Sequence, residues 1–197
     1  TGATITDMSL RNNGVSAGMA DDWRKDVLGF WFGLDERRHW TRDDALDAEC
    51  ASRFGALWKS ERGKPLDTFL TDPDGALAAV ILFDQFPRNM FRDDPRAFAT
   101  DPLARDIAAA MVDRRWDQSI AEERRHFVYM PFEHSERLED QDRSLQLFAA
   151  LGNDFYSDFA RKHRDVIVRF GRFPHRNEVL GRASTPEEAA FGLEPAW

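Results

Sequence analysis

Three short stretches of the chain gather the residue types that move protons or hold charge. The first runs from Leu82 to Asp101, LFDQFPRNMFRDDPRAFATD, where Asp84 and Gln85 close a helical run and Arg88, Arg92 and Arg96 recur every four residues. A helical course there would set three guanidiniums along one side. Each planar fork donates to two oxygens at once, which suits a carboxylate or phosphate. The second is Phe127 to Glu136, FVYMPFEHSE. On a helix Glu133 and Glu136 share a face and His134 lies about a third of a turn away. An imidazole that titrates near neutrality, with a carboxylate to fix its tautomer, is the equipment of acid–base chemistry. The third is His163 to Arg182, in which Gly171 ends a helix and Arg172, His175 and Arg176 follow at a turn.

Taken together these residues suggest a polar pocket. His134 is the expected acid or base, with Glu133 or Glu136 orienting it. Asp84, Arg88, Arg92, Arg172, His175 and Arg176 are the expected ligand-binding set, and Phe86, Phe132 and Phe173 the expected walls. The ligand is then a small anionic molecule, and the reaction to test first is hydrolysis. A plainer reading stands beside this one. In it the arginines only neutralise Asp84, Asp93, Asp94, Asp101 and negative helix ends, and His163 is a hydrogen-bonded core histidine. A further alternative is an interaction scaffold that takes a peptide or protein partner in a groove between helices.

Known signatures narrow the chemistry. The sequence contains no P-loop, G-x-G-x-x-G, H-E-x-x-H or zinc-finger spacing, and the Glu-x-x-His order of di-iron bundles is missing. Neither a metal nor a cofactor is therefore expected. The formal charge of -8 disfavours nucleic acid, whose phosphates call for a basic surface. The basic residues are 23 Arg against 4 Lys, a bias that a GC-rich genome accounts for, so only the placement of each Arg carries information. Cys50 is the lone cysteine, which rules out an internal disulfide and fits a reducing, cytoplasmic compartment. No run approaches the roughly 18 apolar residues of a membrane span.

The elements that must position these groups are helical. Hydrophobic residues make up 42% of the chain, with 16 Phe and 6 Trp, enough for a real core. Residues 1–20 show little periodicity and no signal-peptide order, so they read as a flexible lead before one domain spanning 21–197. Asp21 or Asp22 can cap a first helix that Gly33 ends, and Asp43 opens a longer one that stops at Gly63. Asp72-Pro73 and Asp101-Pro102 each place a capping side chain before a proline at the first helical position. Pro87 is expected to stop the run begun at Asp72. Ala121 to Met130 reads as a helix broken near Pro131. Asp140 to Leu151 and Asn153 to about Phe170 follow, the latter with Phe155, Phe159, Val166 and Ile167 available to the core. Thr185-Pro186-Glu187-Glu188 is a capping box. No stretch alternates long enough for a strand. The fold class is all-α, with short links favouring antiparallel neighbours.

Several long words in the sequence resemble a known family. They are FDQFPRNMFR (Phe83 to Arg92), FATDPLARDIA (Phe98 to Ala108), FVYMPFEHSE and HRDVIVRFGRFPHRNEVLGRASTPEE (His163 to Glu188). They are similar to the bacterial family numbered 924 among domains of unknown function. The resemblance implies a compact bundle of antiparallel helical hairpins, about eight to ten helices, like tetratricopeptide-repeat domains in architecture. It implies no activity and assigns no site residue.

Overall fold

The helix start signals at Asp43, Asp72, Asn153 and Thr185 are met by side-chain caps in the structure, a computed structural model that describes residues 22–191. The one at Asp101 is not, since Asp101 lies inside the first turn of its helix. The proposed lead, residues 1–20, and the capping Asp21 lie outside the described residues. The first helix, α1, is Asp22–Phe32. Helix α2, Asp44–Glu61, begins where Asp43 accepts the Leu46 amide at 3.0 Å. Asp72 does the same for the Gly75 amide, at 2.8 Å, and opens α3, Pro73–Val80. Helix α5 is Asp101–Asp113, α6 is Glu122–Glu133 and α7 is Leu138–Leu151. Gly152, at φ 73°, turns the chain back in a conformation that favours glycine, and Asn153 caps α8, Asp154–Phe170. The capping box closes as expected: Glu188 N donates to Thr185 Oγ1 at 3.2 Å and Thr185 N to Glu188 Oε2 at 2.7 Å, at the start of α9, Pro186–Phe191. Among the described residues there is no strand, and no helix is long and apolar enough to cross a membrane.

Two expectations about proline are corrected. Pro131 does not break α6, which continues to Glu133. A proline near the end of a helix forfeits one hydrogen bond and is tolerated where packing holds the turn. Nor does Pro87 end the helical path. After α3 the backbone widens into a π-helical turn, Ile81–Gln85, and re-enters an α-helical turn, α4, Phe86–Met90. The Phe86 amide reaches back to Ile81 O, the five-residue spacing of a π turn. Pro87 has no N–H to give Phe83 O, so the Thr100 hydroxyl supplies the missing donor at 2.7 Å and accepts the indole N–H of Trp58 at 3.1 Å.

Packing follows from these elements. Every residue from Gly75 to Pro87 is buried, and α3 contacts α1, α5 and α6. Phe86 sits deep in the core, stacked on Phe54 at 4.5 Å and edge-on to Phe30 and Trp31. Helices α6, α7 and α8 pack as successive antiparallel neighbours. Gln141 meets Phe132 and Glu133 while Tyr129 meets Phe148, and Asp142 pairs with Arg164 while Phe148 meets Ser157. In both pairs one index rises as the other falls.

Thr100 ties the backbone before Pro87 to Trp58. Replacing it by Val keeps the shape but leaves Phe83 O and Trp58 Nε1 without partners in the interior. Urea unfolding should show a loss of about 3 kcal/mol, with Thr100→Ser retaining most of the stability.

Candidate functional site

The π turn places Asp84 where a regular α-helix would not, at zero exposure and beneath the C-terminus of α6. His134 is the residue that caps that terminus, its amide bonded to Met130 O at 2.9 Å. Its Nδ1 lies 2.8 Å from Asp84 Oδ1, and Gln85 Nε2 donates to Asp84 Oδ2 at 2.6 Å. Arg88 donates to Asp84 O at 2.7 Å and brings the same Nη1 within 3.4 Å of Oδ1. Arg88 also grips Asp101 bidentately, at 2.8 and 3.0 Å. Asp101, in the first turn of α5, therefore serves Arg88 rather than capping a helix. Behind it, Arg176 approaches Asp101 at 3.6 Å and is packed against the rings of Phe98 and Phe173, each 4.5 Å away.

This arrangement sets protonation states. Burial would raise the Asp84 pKa, but His134, the Arg88 charge and the Gln85 hydrogen bond outweigh it and bring the group to about 2. Burial lowers the His134 pKa, and Arg88 adds to this against the opposing pull of Asp84. The ring is then neutral near neutral pH, with its Nδ1 proton donated to the carboxylate and Nε2 left as the proton acceptor. Glu133 behaves in the opposite way. It is buried, its nearest cationic candidate is His163 Nδ1 at 3.4 Å, and burial, aided by Asp84, raises its pKa to about 8. His163 Nδ1 donates to Phe159 O at 2.9 Å, and burial lowers its pKa to about 3.

His134, with 12% of its side chain exposed, and Glu133 both border a cavity of about 370 Å³. Gln85, Arg88, Asn89 and Arg92 line the same space. So do five aromatic side chains: Trp40, Phe148, Phe155, Tyr156 and Phe159. His39, Thr41, Arg42, Met130 and His163 complete the lining. Gln141 pins the helix end that carries His134. Its amide nitrogen donates to Glu133 O and Ser135 O at 2.7 Å each and to Phe132 O at 3.4 Å.

The residues singled out from the sequence divide into two groups. His134, Glu133, Arg88 and Arg92 come together at the cavity, with Asp84 directly behind His134. Asp84 takes the orienting part expected of Glu133 or Glu136, rather than a ligand-binding one. Glu136 lies beyond the end of α6, so it shares no helix face with Glu133. It accepts from Phe173 N at 2.8 Å and from Arg182 at 2.7 and 3.0 Å. Arg172, His175 and Arg176 do not line the cavity. Arg172 forks onto Glu188 at 2.6 and 2.8 Å, and His175 is turned against Phe173. Phe86, Phe132 and Phe173 are core side chains, not cavity walls. The arginine row is ion-paired throughout: Arg88 to Asp101, Arg92 bidentately to Asp47 at 2.7 and 2.8 Å, and Arg96 to Asp94.

Sequence reasoning missed the aromatic wall. Phe155 and Phe159 are one turn apart on α8 and read as a core stripe, yet Phe155 is 58% exposed. The Trp40 to Arg42 loop gave no periodic signal at all.

Residues 27–195 match the profile of a family described as bacterial protein of unknown function (DUF924). A solved structure of a protein of unknown function, ATU0120 from Agrobacterium tumefaciens, is similar with a TM-score of 0.81 and 39% sequence identity, over 85% of this chain and 95% of that one. Among curated proteins none matches the chain.

The chain has 5 histidines, and burial lowers the pKa of each: His39, His126, His134, His163 and His175. They are neutral in the fold and titrate near 6.5 once unfolded. Stability present above that pH should be lost as pH falls toward the folded values of about 4 for His126 and about 3 for His163. Glu133 acts at the other end. Its folded pKa exceeds the unfolded one, so its contribution is present at low pH and lost as pH rises through about 8. Urea unfolding should therefore show a steep decline between pH 6.5 and 4.5. Glu133→Gln should be nearly level with wild type at pH 4.5 and more stable by on the order of a few kcal/mol at pH 9. A flat acid limb, or no gain at pH 9, would contradict these protonation states.

Proposed function

Because the chain belongs to the DUF924 family of bacterial proteins of unknown function, we propose its role from its own geometry: a hydrolase acting on a small anionic molecule, with His134 as the base. The observation that carries this reading is the 2.8 Å contact of His134 Nδ1 with a buried carboxylate, at the edge of a cavity that His134 also lines. Asp84 holds the tautomer that leaves Nε2 unprotonated and stabilises the imidazolium that forms when Nε2 takes a proton from water. Glu133, adjacent in sequence and on the same cavity, is a neutral carboxylic acid at working pH and can give its proton to the leaving group. Two neighbouring groups whose surroundings push their pKa values in opposite directions form an acid–base pair.

Arg88 and Arg92 hold the substrate through the N–H groups that their carboxylate partners do not use. Asp47 takes Nε and Nη2 of Arg92, leaving Nη1. Asp101 and Asp84 take both terminal nitrogens of Arg88, leaving Nε. The groove-binding alternative draws support from Trp40 and Phe155, large apolar side chains exposed beside the cavity. The two readings separate on His134, which a docking groove does not require.

A panel of p-nitrophenyl esters distinguishes them. His134→Ala and Asp84→Asn should each lower kcat/KM by about 10²–10⁴ with the helical signal intact, whereas Glu136→Gln should change it only a few-fold. The wild-type profile should be bell-shaped, rising as His134 loses its proton below its ordinary value and falling as Glu133 ionises near pH 8. Turnover unaffected by His134→Ala would remove the hydrolase reading.

A further inference from the structure

The cavity has two unlike sides, and the contrast bears on what it accepts. One side is aromatic and continuous. Phe155 and Phe159 pack at 4.7 Å, Phe155 and Tyr156 at 5.5 Å, Phe148 and Tyr156 at 5.9 Å, and Trp40 and Tyr156 at 6.4 Å. Phe148 anchors this wall in the core, at 1% exposed, while Phe155 and Trp40 stand open at 58% and 44%, among the most exposed large apolar side chains described. Rings held open beside a cavity offer flat apolar faces to a ligand. The other side comes from one short segment, the π turn and the residues after it, which supply Gln85, Arg88, Asn89 and Arg92.

The charge on the lining is also one-sided. Arg42, Arg88 and Arg92 border the cavity, and Glu133 is the one acidic residue among the described lining. The carboxylates that pair with Arg88 and Arg92, Asp101 and Asp47, do not line it. An entering anion therefore meets unused guanidinium N–H groups and no facing carboxylate except the buried Glu133.

Building on the proposed reaction site, we infer that this cavity selects aromatic carboxylates, with the ring on the Trp40, Phe155, Tyr156 and Phe159 wall and the carboxylate on Arg92 and Arg88. Neither feature suffices alone. A simple carboxylate leaves the rings exposed, and a neutral aromatic leaves the guanidinium donors unused.

Isothermal titration calorimetry on the full chain tests this with 3-phenylpropionate, 3-phenylpropanamide and acetate. The phenyl acid should bind at least roughly tenfold more tightly than either of the others. Phe155→Ala, a change at an exposed side chain, should weaken the phenyl acid by about tenfold and leave acetate unchanged. Arg92→Gln should erase the difference between acid and amide. If that variant does not fold, added salt should weaken the acid and not the amide in wild-type protein, because the carboxylate contact is ionic. An amide that binds as well as the acid overturns the anion preference, and acetate that matches the phenyl acid overturns the aromatic one. No heat from any probe overturns the whole inference. Acetate and 3-phenylpropionate have no bond to hydrolyse, so their binding is judged apart from ester turnover, and the amide solution is checked after titration for released 3-phenylpropionate. Failure of the titration and failure of the ester assay are thereby told apart.

Discussion

A carboxylate taken fully out of water must be compensated where it stands, and Asp84 is compensated from every direction. Gln85 donates to one oxygen, His134 meets the other, and Arg88 supplies the positive charge. Arg88 in turn is held by Asp101, which also faces Arg176. The ionised form persists only because these partners together outweigh desolvation. Four parts of the chain are thereby tied to one buried charge: the π turn after α3, the start of α5, the end of α6 and, through Asp101, the turn after α8. Removing Arg88 would leave the Asp84 charge unpaired in the interior, whereas removing Gln85 or His134 would take away one hydrogen bond each.

The π turn is the backbone half of the same arrangement. A strictly α-helical course from Pro73 to Met90 would have left Phe83 O orphaned by Pro87. The Thr100 hydroxyl supplies the donor that Pro87 lacks. The π turn inserts an extra residue into the helical register, so Asp84 faces α6 while Arg88, Asn89 and Arg92 face the cavity. Departures of this kind from regular helix often accompany functional positions.

What the sequence disclosed was chiefly local. Asp43, Asp72, Asn153 and the Thr185 to Glu188 box mark helix starts because a cap acts within three residues of itself, and those starts were legible. Pro131 misled because its effect is decided by packing around the last turn of α6. The pairing of Glu133 with Glu136 failed for a separate reason, since it needs a helix extending past Glu133 and α6 ends there. The partner His134 does have, Asp84, is fifty positions away and could be found only through tertiary structure. Arg88 and Arg92 were recognised as a row and Asp101 as a carboxylate it could neutralise, but Asp47, which holds Arg92, comes from α2 and lies outside the stretch. Spacing of three and four on α8 identified an apolar face without saying whether core or cavity lay opposite, so Phe155 passed as a core residue.

The grip of Gln141 on the end of α6 reaches beyond cohesion. One side-chain amide bridges the carbonyls of Phe132, Glu133 and Ser135, so α7 acts as a ruler for the loop that carries His134. The number of residues between Glu133 and Leu138 is thereby fixed. Lengthening that loop by one would either release the amide from its acceptors or swing the imidazole away from Asp84. Insertions and deletions in relatives that keep the His134–Asp84 pair should consequently gather elsewhere, for instance between Gly63 and Pro65, where no such ruler spans the connection.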